Sequence, residues 1–323
     1  MGSGLAAQFG YEEEAEYGTR ITPTNFLEFT SESCGLNIAR IESRALRAGT
    51  RVQRSDRWVS GAHDAQIGVE LQLQSKGMGM IFKHLLGTSA TSQPGGATLT
   101  YEHKSKIADP LGLGLTLQFG KPSSDGTVRP FDYPGTKFTG ATFKAAVDEA
   151  CSLSLSGFAT DELSDQTLAE ATYASGLEVL SWQNTTLEIG GTAYDCSALT
   201  VDIKHAFKTN RFNLGAVTRN EPLVNDFTEI TGDITSEFID LVGYNRFKNG
   251  TTGALVATFE GGVIETTYHY AVEITLAYVR FDGESPKVAG PDVLEQPIKW
   301  KALDDGTTDS PIAIVYRTTD ATI

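Results

Sequence analysis

The sequence predicts a mainly β protein built from two tandem copies of one unit. Short runs alternate apolar and polar residues, glycine is frequent at 33 of 323 positions, and only two short stretches have helical spacing. A period of two buries one face of a strand and leaves the other to solvent.

The clearest strands are Ile67-Gly68-Val69-Glu70-Leu71-Gln72-Leu73, Leu113-Gly114-Leu115-Thr116-Leu117-Gln118-Phe119, Ser152-Leu153-Ser154-Leu155-Ser156 and Val272-Glu273-Ile274-Thr275-Leu276. One helix is expected over 78–86, where Ile81, Phe82, Leu85 and Leu86 share a face and Gly87 follows as a stop. A second is expected over 237–248, with Phe238, Leu241, Val242 and Phe247 apolar and Gly250 after it. At 1.5 Å per residue each is only ~15–18 Å long, enough to flank a sheet and little more.

Both helices sit in one context. Gly68, an alternating strand, a helix and Gly87-Thr88 in the first half match Gly232, a strand, a helix and Gly250-Thr251 in the second. Upstream of each lies a run with basic residues and a central glycine, Leu36 to Gly61 and Val201 to Pro222. Downstream comes a strong strand, Leu113–Phe119 or Val272–Phe281. Such self-similarity predicts a duplication. The expected division is an N-terminal arm, 1–26, a first unit, 27–163, and a second, 164–323. The arm is polar and punctuated by glycine, so it is expected to order only against a neighbouring subunit.

The formal net charge is −15. Residues 1–163 contribute −3 (15 basic, 18 acidic) and the remainder −12. Gripping a nucleic-acid backbone needs clustered positive charge, so the whole chain should repel DNA. Cys34, Cys151 and Cys196 stand far apart and odd in number, which fits buried thiols in a reducing compartment. No apolar run approaches the ~18 residues of a membrane span. The start lacks a signal peptide's basic and apolar regions, and Ala6 stands where myristoylation wants Ser or Thr. Assembly in a cytoplasm, with no membrane, is expected.

Enzyme signatures fail individually. His63, His84, His103, His205 and His269 form no HExxH and no i, i+4 pair. Gly77-Met78-Gly79 and Gly112-Leu113-Gly114 do not continue as a dinucleotide fingerprint, and Pro122 after Gly120-Lys121 rules out a phosphate loop. Asp304-Asp305-Gly306 lacks the spacing and terminal Glu of a calcium loop and reads as a turn. Asn184-Thr185-Thr186 and Asn249-Gly250-Thr251 are glycosylation sequons by pattern only. No catalytic residue, cofactor or metal is expected.

The informative charges are Arg40, Arg44, Arg47, Arg51, Arg54 and Arg57, three or four apart. A basic helix gripping nucleic acid is one reading, but Gly49-Thr50 interrupts it and Glu42 and Asp56 dilute it. A projecting loop or hairpin whose guanidinium groups meet a neighbour's carboxylates fits better. Trp58 stands beside it, and Glu12, Glu13 and Glu14, with Glu16, would supply acceptors. Trp58, Trp182 and Trp300 do not cluster, which disfavours a carbohydrate-binding or adhesive β-sandwich, the alternative from another class.

Three stretches carry a resemblance: Gly2-Ser3-Gly4-Leu5-Ala6-Ala7-Gln8 on to Glu16-Tyr17-Gly18-Thr19; Arg40-Ile41-Glu42-Ser43 through Arg54-Ser55-Asp56-Arg57-Trp58; and Tyr244-Asn245-Arg246-Phe247-Lys248-Asn249-Gly250-Thr251. Together they resemble the major tail tube proteins of siphophages, over Gly2 to about Phe281, with nothing specific from Glu284 onward. The resemblance implies tandem tail-tube-like β-sandwich or barrel units, each with one short flanking helix. It also implies inner sheets joined across subunits around a channel, and rings stacked through the arginine loop and the arm. With two units per chain a pseudo-hexameric trimer is expected; without duplication, a hexamer. The implied partners are copies of the chain itself, a tape measure protein and a tail terminator. DNA would pass an acidic lumen without specific binding.

Overall fold

The computed structural model describes residues 2–283, 285–288, 290–291 and 293–323. The first half of the chain forms β1 (Gln8–Glu13), β2 (Asn25–Leu27), β3 (Ser31–Glu32), β4 (Gly35–Glu42), β5 (Trp58–Gln72), α1 (Gly79–Leu86), β6 (Gly87–Ser92), β7 (Tyr101–Ile107), β8 (Leu115–Pro122), β9 (Val128–Ala146) and β10 (Ser152–Ala159). The second half forms β11 (Thr185–Ile189), β12 (Thr192–Ala193), β13 (Ala198–Lys204), β14 (Phe207–Lys208), β15 (Leu223–Val224), β16 (Glu229–Glu237), α2 (Val242–Asn249), β17 (Gly253–Glu265), β18 (Tyr268–Gly283), β19 (Glu295–Ala302) and β20 (Ile312–Thr318). Every strand pairing among the described residues is antiparallel. The mainly β class read from period-two runs is the class observed.

Strands pair in one order twice. The first half runs β1–β8–β9–β10–β5–β4, and the second runs β11–β17–β18–β19–β16–β13. In each, one long strand changes partner midway. β9 pairs β8 over its first half and β10 from Lys137, and β18 pairs β17 up to Val279 and β19 from there. The turn-over in β9 falls at Pro134-Gly135, where Gly135 has φ +63° and a Cβ would meet Thr160 Oγ1 at 2.1 Å. The bent strands thus belong to two layers, and the core lies between them.

The halves join edge to edge where β13 pairs β9, Val201 opposite Phe143. One eight-stranded sheet results, β4–β5–β10–β9–β13–β16–β19–β18. Its inward residues, including Val69, Leu71, Phe143, Leu153, Val201, Ile234, Ile298 and Trp300, are buried. Gly232 is needed there, since a Cβ would lie 2.0 Å from the Thr200 carbonyl oxygen and 2.3 Å from Trp300 Cζ2. A second junction is made by β20, which pairs β18 on one side and β7 on the other. The Phe82 ring of α1 touches both junction strands, 6.0 Å from Phe143 in β9 and 5.5 Å from Tyr316 in β20.

The repeat expected from the sequence shifts at two landmarks: Gly232 corresponds to Val69, one residue after Gly68, and Val272–Phe281 lies in the counterpart of β9, whereas the Leu113–Phe119 strand corresponds to β17. Two further expectations need correction. The N-terminal segment is no free arm: β1 is hydrogen-bonded between β2 and β8, with Phe9 and Tyr11 in the core and Phe9 stacked on Phe119 at 4.8 Å. Its place in the first half is that of β11 in the second. The second helix starts at Val242, not 237, because Glu237 completes the ladder to Glu295 and Asp240 accepts a hydrogen bond from the Val242 amide at 2.7 Å. Both helices end on left-handed glycines, Gly87 (φ +102°) and Gly250 (φ +64°), as read from the sequence.

Candidate assembly interface

The arginines lie on a β-hairpin. β4 and β5 pair as far as Glu42 opposite Trp58, the Ser43 amide donates to the Arg57 carbonyl at 2.8 Å, and residues 43–57 form the tip. Nothing among the described residues covers it: Leu46 is 102% and Val52 80% exposed, and the tip surrounds an open cavity of about 700 Å³. Exposed apolar side chains on a loop with no core of its own mark a surface that lacks its partner.

The guanidinium groups differ in engagement. Arg54 makes a two-point contact with Asp56, at 2.9 and 3.1 Å, and Arg57 lies 3.9 Å from the same carboxylate. Arg40 stacks on Trp58, 5.4 Å from the ring centre. Arg44, Arg47 and Arg51 have no carboxylate within ion-pair distance among the described residues.

Glu12, Glu13 and Glu14 are not the acceptors expected for these arginines. Glu12 accepts hydrogen bonds from the Thr24 amide, 3.0 Å, and Asn25 Nδ2, 3.1 Å. Glu13 is held down to about 2 by the His84 imidazole and by Lys83. Burial drives His84 toward its neutral form and its Nε2 is 3.6 Å away, so Lys83, at 2.6 Å, is the stronger partner in the geometry. Glu14 is buried and accepts from the amides of Gly18 and Gly135, 2.7 and 2.8 Å, and from Thr116 Oγ1, 2.7 Å. Burial raises its pKa despite these donors. All three carboxylates serve the subunit that carries them.

The exposed face of the eight-stranded sheet is the other extended surface. It carries Asp64, Glu70, Asp202, Glu229, Asp233, Glu237, Asp282 and Glu295 against Lys144, Lys204, Arg280, Lys299 and Lys301, a net of −3. Three of its five cations are matched at short range: Lys301 to Glu229, 2.8 Å; Arg280 to Asp282, 2.9 Å; Lys144 to Glu149, 2.8 Å. The first-half part is chiefly uncharged, with Gln66, Gln72, Thr142, Ser152, Ser154 and Ser156. The chain's acidity therefore lies mostly elsewhere.

Groups that the sequence reading passed over hold the halves together. Arg219, buried, pairs with Asp64 and stacks on Phe158 at 4.9 Å, tying the 205–228 loop to β5 and β10. Glu265 accepts from the amides of Thr98, Leu99 and Thr100 at 2.8–3.0 Å, and these hydrogen bonds, that from Leu99 foremost, lower its pKa to about 2. Neither residue had a sequence signal, since each acts across more than 150 positions. Among the described residues no group of His, Cys, Asp and Glu is placed to hold a metal.

The phage tail tube protein family matches residues 4–302 of the chain. The chain belongs to that family. The tail tube protein is a structural component of the virion, and the family is not an enzyme family. Among curated proteins no match is found. No helix of the described residues is long and apolar enough to cross a membrane.

Proposed function

We propose that this tail tube protein is of the siphophage type and assembles as a pseudo-hexameric trimer, each chain supplying two copies of one unit to the ring. The repeated strand order carries the reading, because two like units already joined edge to edge form one repeat of a ring whose remaining joints lie between chains. Three chains of eight inner strands give the same lumen as six single units would. Contacts within a ring close, while head-to-tail contacts between rings stay open and yield a tube. The tape measure protein and tail terminator implied by the family resemblance would meet its bore and its end.

The exposed face of the eight-stranded sheet lines the lumen in this reading, since its other face is the core. A DNA phosphate binds where it can displace counterions onto a free cation. The lumen face has a small negative excess, and several of its cations are paired with carboxylates. DNA slides because it finds few anchors there, and the −15 of the whole chain acts mainly as a long-range field. The arginine hairpin projects from the subunit and is the contact proposed for the next ring.

Negative-stain microscopy of the purified protein, with mass per unit length, tests this. Tubes with three chains per ring are expected. Six chains per ring would refute the trimer, and monodisperse monomers at high concentration would refute self-assembly.

A further inference from the structure

The joint inside the chain specifies the joint between chains. β13 lies on β9 with Val201 opposite Phe143, Asp202 opposite Thr142 and Ile203 opposite Ala141, and the His205 amide extends the ladder to the Thr139 carbonyl at 2.8 Å. On the exposed face the Thr142 hydroxyl donates to the Asp202 carboxylate at 2.5 Å.

Each residue of this joint has a counterpart. The stops Gly87 and Gly250, and the starts of α1 and α2, bring Val69 of β5 into correspondence with Gly232 of β16. Glu32 pairs Val69 as Val201 pairs Gly232, so Ser33 corresponds to Asp202 and Cys34 to Ile203. On the other side, Leu155 pairs both Val69 and Ala141, while Trp300 pairs both Gly232 and Phe281. Phe281 therefore corresponds to Ala141, and Asp282 to Thr142.

These counterparts are open edges. Beyond Val279, β18 has only β19 beside it, and β3–β4 has only β5, among the described residues. The Cys34 amide corresponds to one that faces β9 in the closed joint. Here it donates to its neighbour's side chain, Glu32 Oε2, at 2.8 Å, and the Cys34 carbonyl accepts from Lys121 Nζ at 3.4 Å. Charged side chains over an unpaired edge protect it from indiscriminate pairing.

We infer that residues 32–36 of one subunit pair antiparallel with residues 279–283 of the next, Ser33 opposite Asp282 and Cys34 opposite Phe281. The hydroxyl and carboxylate of Thr142 and Asp202 recur with their strands exchanged, Ser33 now supplying the hydroxyl and Asp282 the carboxylate. The Cys34 amide passes from Glu32 to the Phe281 carbonyl. This register rests on the ring reading above and adds to it which edges meet.

Engineered cysteines test the register in assembled tubes. Ser33 and Asp282 form a non-hydrogen-bonded pair, whose Cα atoms lie ~4.5 Å apart, within disulfide reach. Mild oxidation of S33C/D282C should link chains into dimers and closed trimers; S31C/D282C, two residues out of register, should not link. Unlinked tubes from S33C/D282C, or equal linking by S31C/D282C, would overturn the register. Linked species reaching six chains would support the register and overturn the trimer. A second test needs no disulfide. S33D sets two carboxylates opposite each other and should abolish tubes, and S33D/D282S should restore them; undiminished assembly by S33D would overturn the register. Tube formation by the unmodified protein, scored in parallel, separates a failed register from a failed tube reading.

Discussion

Replacing Arg47, Arg51 and Arg54 with Glu should leave the subunit folded and stop rings from stacking. Five arginines against Asp56 give the 43–57 tip a charge of +4, and the triple variant reverses it to −2. Within the subunit the change removes one exposed pair, Arg54 with Asp56. Such exposed pairs are screened by solvent and contribute little, so the melting temperature should fall by no more than ~2–4 °C. Between rings the loss is larger. Interfacial Arg–carboxylate pairs contribute on the order of 1.5 kcal/mol each. Three lost pairs exceed ~4 kcal/mol, a factor of about 10³ in the stacking equilibrium. Thermal melting, sedimentation and negative-stain microscopy read the two effects separately. High salt should likewise weaken stacking of the unmodified protein, because exposed charges are screened within ~8–10 Å. Normal tubes from the triple variant would refute the interface assignment. If that variant also lost affinity for DNA, the nucleic-acid reading of the arginines would take its place.

Phe9→Ala should cost ~3–5 kcal/mol in denaturant titration, because the ring is fully buried against Phe119; a change below ~1 kcal/mol would return β1 to the status of an accessory arm. Gly232→Val should lower stability by at least ~1–3 kcal/mol, since no side chain fits between the Thr200 carbonyl and Trp300; unchanged melting would show that the two strands can part. The Glu13 carboxyl is lowered from 4.5 to about 2, so its contribution is complete above about pH 4.5 and is lost as pH falls through about 2. Protection factors of the β1 amides, referred to the intrinsic exchange rate at each pH, should fall as pH drops through that window, and Glu13→Gln should remove the acid dependence; an identical pH profile in the variant would exclude this carboxylate.

Strand class and helix ends were legible because they depend on neighbours in sequence. Ile67, Val69 and Leu71 alternate openly, and Gly87 and Gly250 terminate helices by their own backbone freedom. β1 was missed because only Phe9 and Tyr11 mark its buried face before three glutamates that read as a solvated run. The alternation of Ile312, Ile314 and Tyr316 in β20 is equally open in the sequence. What sequence could not show was pairing at a distance. Arg219 meets Asp64, and Glu265 meets Thr98–Thr100, through the tertiary fold alone. The same holds for the assembly surface. The spacing of arginines announces a projection, but that Glu12 to Glu14 are already engaged appears only once β1 is seen in the sheet.

The two junctions between the halves have a consequence for ring size. The β9–β13 pairing lies on one side of α1 and the β7–β20 pairing on the other, with Phe82 wedged between them. A wedge fastened on both flanks can neither open nor close without breaking a ladder. Each chain therefore carries its arc of curvature before it meets another, and a template for the bend comes off the ribosome with it. Subunits arriving at the open edges extend an angle already chosen, so a ring that gains or loses a chain must bend the eight-stranded sheet away from the geometry it holds in isolation.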